Sequence, residues 1–232
     1  MLPMNMIRGL ILCIAACAYL SGSLLADHVI ITGGPALRKW EDLRTPKDRH
    51  DRWWANFIRA STIRMDMLLR EPAPHESIIW MVYQPAYRDR GKEDGRPYLE
   101  WIQGLATKRR ARLVWFSSGQ EFIRKFNSLP RGSVKELEYF GHSNKHAFMF
   151  EYGSDIIGAS TAWLHEKELG QLRSSVFAPE SVCTSWGCHT GESMSEVWEK
   201  VLGVPLRGVK GPTNYTVVGQ AKLPLAKGSW TN

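Results

Sequence analysis

The chain has 232 residues, 44% apolar and 23% charged, which is ordinary globular usage and excludes a disordered, collagen-like or coiled-coil protein. Thirty Lys and Arg against 23 Asp and Glu give a net charge of +7, a mild basic excess with no recognisable nucleic-acid module, so no nucleic-acid partner is expected. Four cysteines are too few for a disulfide-built scaffold.

Met1 to Arg8 carries one positive charge, Gly9 to Leu20 is uncharged and largely apolar, and Ser21 to Ala26 supplies small residues before Asp27. This layout predicts a secretory signal peptide over residues 1–26, cleaved after Ala26. The mature domain is then residues 27–232, exported to the periplasm or secreted in a bacterium. The apolar run is short for a span of about 20 residues, so no stable membrane span is expected. Ile14-Ala-Ala-Cys17 offers an alternative, a lipobox with a lipid anchor on Cys17.

His28–Thr32 is a β-branched run ended by Gly33-Gly34-Pro35, which predicts a buried strand. From Arg52 to Arg70, Trp53, Trp54, Phe57, Ile58, Ile63, Met67 and Leu68 recur at helical steps. Ser77–Tyr83 is a second apolar strand, Tyr87–Gly95 a solvated loop, Tyr98–Arg110 a helix and Arg112–Phe116 a third strand. Ser117 or Ser118 caps a helix running to Asn127. Pro130-Arg-Gly132 turns the chain into a fourth strand, Val134–Phe140. Ala147–Tyr152 is strand-like, with a small hairpin near Gly153. Thr161–Arg173 reads as a helix, Ser181–Trp186 as a fifth strand and Glu192–Leu202 as a helix.

Uninterrupted apolar strands alternating with helices predict an α/β fold, a mostly parallel sheet flanked by helices in a three-layer sandwich. Ligands of such sheets gather beyond the carboxyl ends of the strands. The residues expected there are Gly33-Gly34, Gln84, Ser117-Ser118, Gly141-His142-Ser143 and Gly187-Cys188-His189-Thr190-Gly191. A thiol attacks carbonyls as its thiolate and needs its pKa lowered. The start of the helix after Cys188 is expected to lower it. His142, at the tip of the preceding core strand, would protonate a leaving amine. The backbone N–H groups of Cys188 and Ser143, beside Gly187 and Gly141, are expected to hold the oxyanion. Gly33, His189 and Thr190 are the expected substrate contacts.

Phe140-Gly-His-Ser143 resembles the hydrophobic-Gly-His-Gly element of caspase-like cysteine peptidases. Glu180-Ser-Val-Cys-Thr-Ser-Trp-Gly-Cys-His-Thr-Gly191 resembles their strand-Ala-Cys-x-Thr-Gly element. The likeness is nearest to the bacterial branch with its CHAT peptidases, and more distantly takes in gingipains and separases. The order His then Cys, about 50 residues apart, agrees with that pattern. The resemblance implies a caspase-like sheet, a His142/Cys188 catalytic dyad, a protein or peptide substrate and no cofactor. Ser143 departs from the pattern, which has Gly there.

Two other readings stand beside this one. A catalytically inactive caspase-like module would bind a protein or peptide without cutting it. An α/β serine hydrolase would use Ser143, but Lys145 stands where the second elbow Gly belongs. Zinc is not expected. Cys183 and Cys188 on one extended strand would lie about 16 Å apart at 3.3 Å per residue, too far to share an ion or a disulfide. Cys183 itself reads as a buried hydrophobe.

Overall fold

The computed structural model describes residues 26–46, 49, 51–70, 76–152 and 162–231. Residues 1–25 of the signal peptide expected over 1–26, and the hairpin expected near Gly153, lie outside the described residues. From the amino end, β1 (Ala26–Thr32) leads through α1 (Arg38–Asp42) and α2 (Asn56–Leu68) to β2 (Glu76–Tyr83). Helices α3 (Gln84–Asp94) and α4 (Tyr98–Lys108) lead to β3 (Arg112–Phe116), and α5 (Gly119–Asn127) leads to β4 (Val134–Phe140). A small sheet of β5 (His142–Ser143), β6 (Ala147–Met149) and β7 (Trp163–His165) follows. Then come β8 (Phe177–Ser185), α6 (Met194–Leu202) and β9 (Leu206–Arg207). The last segment folds back as two short ladders, β10 (Val209–Lys210) with β13 (Ser229–Trp230) and β11 (Thr213–Asn214) with β12 (Leu225–Ala226).

The central sheet has the order β3-β2-β1-β4-β8-β9, and every neighbouring pair in it is parallel. The pleat of β1 divides the core. Val29 and Ile31 pack with Phe122, Phe126, Trp198 and Leu202 of α5 and α6, whereas Ile30 packs with Phe57, Ile58 and Ile102 of α2 and α4. Helices therefore cover both faces, as the α/β pattern predicts. Each such side chain taken fully out of water contributes about 1.5–3 kcal/mol. The strand order reverses between β1 and β4, and in sheets of this kind ligands gather beyond the carboxyl ends at such a reversal. Gly33 and His142 stand at those two ends.

Several elements differ from expectation. Residues 87–95 belong to α3 rather than to a solvated loop. Pro85 lies in the first helical turn, where its missing N–H costs nothing, and Gly95 (φ 62°) ends the helix. The buried face of this helix is partly polar and escapes a hydrophobicity pattern. Arg90, 1% exposed, donates to the Ala36, Asp51 and Arg52 carbonyls and pairs with Asp94. The helix expected from Thr161 to Arg173 is instead strand β7 followed by a 3-10 turn over Glu166–Gln171, with Thr161 outside the described residues. Pairing of Trp163–His165 with β6 competes successfully with helix propensity, and the His165 ring then caps the turn by accepting the Lys167 N–H. The helix expected from Arg52 begins at Asn56, because the Asp51 amide and carboxylate are bonded outside the helix.

Candidate functional site

Tight backbone packing brings the ends of β4 and β8 together. A Cβ on Gly141 would stand 2.4 Å from the Tyr139 hydroxyl, and one on Gly187 would stand 2.2 Å from Ser143 Oγ. Both approaches are closer than any side chain allows, so glycine is required at each. The Tyr139 hydroxyl lies 2.5 Å from the His142 carbonyl and 3.0 Å from that of Met149, fixing where the chain leaves β4. Ser143 Oγ donates to the Cys188 carbonyl at 2.7 Å. That bond joins the residue after His142 to the backbone of Cys188.

The Cys188 side chain is half-buried, and its Sγ accepts the Thr213 N–H at 3.2 Å from the returning C-terminal segment. Burial pushes the thiol above its usual pKa, and the Thr213 contact only partly offsets this. The expected lowering by the following helix is absent. Helix α6 begins at Met194, and its first amides are taken by the Lys145 and Thr190 carbonyls. Cys183 is fully buried and pushed up to about 12 by burial. Both cysteines are free thiols.

The Cys188 N–H bonds its own thiol, while its neighbours Gly187 and His189 donate to Ser185 Oγ and the Gly211 carbonyl. The Asn144 N–H bonds the Ala147 carbonyl, so antiparallel alternation turns the Ser143 N–H away from β6. The Ser143 N–H is therefore not spent on the β5–β6 ladder. Ser143 has given its hydroxyl to the Cys188 carbonyl, which removes it from the role of an elbow nucleophile.

His142 is held on three sides. Its Nε2 lies 2.6 Å from Asp51 Oδ2, the Tyr152 ring stacks on it at 4.2 Å, and it meets the Phe57 ring edge-on at 4.9 Å. No hydrogen bond joins His142 to Cys188. Asp51 is 1% exposed. Burial alone would raise its carboxyl pKa, but His142, the Ala36 N–H and Arg90 together hold it below the ordinary carboxylate value. Sequence reasoning missed this residue. The one available signal was an acid in the segment between the β1 turn and the next helix, and so beyond the carboxyl end of β1.

The expected substrate contacts separate. Thr190 is fully buried, donates to the Gly187 carbonyl and receives the Ser195 amide and hydroxyl. Gly33 donates to the Phe140 carbonyl and accepts the Tyr87 hydroxyl. Both residues spend these groups within the loops that carry them. His189 is partly exposed beside Cys188, at φ 64°, with its ring bonded to Glu192. Positive φ in a non-glycine residue is a strained conformation that the surrounding loop must hold.

No group of three or more metal-ligating side chains occurs among the described residues, and none of their helices is long and apolar enough to cross a membrane. No family model, curated protein or solved structure matches the chain.

Proposed function

We propose that the protein is an exported caspase-like cysteine peptidase, with Cys188 as nucleophile and His142 as its proton partner. The observation that carries this reading is the Ser143–Cys188 hydrogen bond. It ties the strand end that bears His142 to a loop whose Cys188 thiol accepts the Thr213 N–H. Export is supported by the three-part layout of residues 1–26 alone.

Burial holds the thiol pKa up, and attack and deprotonation then occur together. As Sγ bonds to the substrate carbonyl carbon, the thiol proton passes to His142, and the oxyanion meets the Cys188 and Ser143 N–H groups. The C–N bond then breaks, the amine leaves with the proton from His142, and a thioester remains. Water attacks the thioester with His142 again taking a proton, and the C–S bond breaks to restore the thiol. No cofactor enters.

A peptide-library cleavage assay on the mature protein tests this. Wild type is expected to release defined products, and Cys188→Ala is expected to release none. A non-catalytic peptide-binding module is the second reading, favoured by the raised thiol pKa. It predicts peptide capture with equal affinity by wild type and Cys188→Ala and cleavage by neither.

A further inference from the structure

We propose that Asp51 is the positioning residue of this site: it pins the Nε2 edge of His142, so that Nδ1 is the nitrogen that exchanges protons with Cys188 and the leaving group. This rests on the hydrolase reading above and assigns the ring atom and the anion that the reaction needs.

The carboxylate is itself rigidly placed. Asp51 Oδ2 accepts the Ala36 N–H at 2.7 Å as well as His142 Nε2, the Asp51 N–H donates to Glu41 Oε2 at 2.8 Å, and the Asp51 carbonyl accepts Arg90 Nη1 at 3.0 Å. The Asp51 N–H, carbonyl and carboxylate are therefore each tied to another part of the chain. The ring has little freedom either. Tyr152 stacks on it with the Arg44 guanidinium 4.5 Å from the Tyr152 ring centre, and Phe57 meets it edge-on with Tyr215 packed beyond. The charged and titratable groups facing His142 include Asp51, with Arg90 behind it, Tyr152, with Arg44 behind it, Tyr139 and, beyond Phe57, Tyr215. Nδ1 is the ring nitrogen with no partner among the described residues.

An ionised carboxylate on Nε2 holds the proton there and leaves the Nδ1 lone pair open, because the partner of one ring nitrogen fixes the tautomer. The thiol proton then passes to Nδ1 as the S–C bond forms, the imidazolium is balanced by Asp51, and the same Nδ1 proton leaves with the amine as the C–N bond breaks.

The geometry dictates the informative variants. Oδ2 must still accept the Ala36 N–H, so Asp51→Asn places its amide oxygen there and keeps the bond from Nε2 while removing the charge. Asp51→Ala removes both bond and charge. In Asp51→Asn kcat is expected to fall at least about tenfold while KM changes little. Ring-nitrogen NMR of the neutral ring is expected to show an Nε2-protonated His142 in wild type and Asp51→Asn, and mixed tautomers in Asp51→Ala.

An unchanged kcat in folded Asp51→Asn, or an Nδ1-protonated ring in wild type, overturns the assignment even if Asp51→Ala does not fold. Absence of hydrolysis with the ring response intact overturns the hydrolase reading instead, and leaves Asp51 as the residue that orients His142.

Discussion

Two histidines, His28 and His142, stand at opposite ends of the same parallel sheet and each meets carboxylate, yet their surroundings differ in one respect. His28, near the amino end of β1, has both ring nitrogens occupied, Nε2 by Glu76 at 2.8 Å and Nδ1 by Glu136 at 3.2 Å. Glu136 passes to Arg64, which also pairs with Glu138, and Glu138 accepts the Trp186 indole N–H. Every charge in that cluster is answered. His142 has a single carboxylate, on Nε2, and a second nitrogen with no partner among the described residues, at the ends of β4 and β8. A saturated network fastens strands together, whereas one with spare valence has something to offer a substrate.

The contrast breaks if the two histidines behave alike. His142→Ala is expected to lower hydrolysis by about 10²–10⁴-fold, and His28→Ala to leave it within about twofold, measured as kcat/KM on one peptide. A smaller but still clear effect is expected at Gly187. An added methyl there collides with Ser143 Oγ, so Gly187→Ala is expected to cost about 1–3 kcal/mol in a urea melt and to weaken hydrolysis with it. Retained activity at full stability would detach the Ser143–Cys188 contact from function.

The smallest effect sharpens the other half of the comparison. Burial opposes a charged His28, but Glu136 and Glu76 outweigh it and hold its pKa above the ordinary histidine value. A folded-state pKa above the unfolded one stabilises the protein fully below the unfolded value of about 6.5, and that stabilisation is lost as pH rises through the folded value. His28→Gln is therefore expected to destabilise by about 1–2 kcal/mol at pH 5.5 and by less at pH 8.5. Equal losses at both pH values would show that the ring acts by packing alone.

The parallel sheet was legible because its strands are short, apolar and bounded by Gly, Pro or Ser, as in Arg112–Phe116 before the Ser118 cap. The ends of β4 and β8 were legible for the same reason, and with them His142 and Cys188. Asp51 was not, since it lies in a charged stretch far from His142 in sequence and owes its role to burial under Arg90 and α1. Thr213 acts through a backbone N–H, which no side-chain pattern encodes. Helix α3 was hidden because Arg90 fills a core position that periodicity assigns to an apolar residue. The raised Cys188 pKa depends on how deeply the C-terminal ladders cover the thiol, again a property of the assembled fold.

Cys183 and Cys188 lie five positions apart and supply an internal control for the central claim. Mass-spectrometric mapping after exposure to an activated peptidyl ester measures it directly. A thioester is expected on Cys188, absent from Cys183, and formed at least about a hundredfold more slowly in His142→Ala. Acylation of neither cysteine, or of Cys188 at the same rate without His142, would contradict the account.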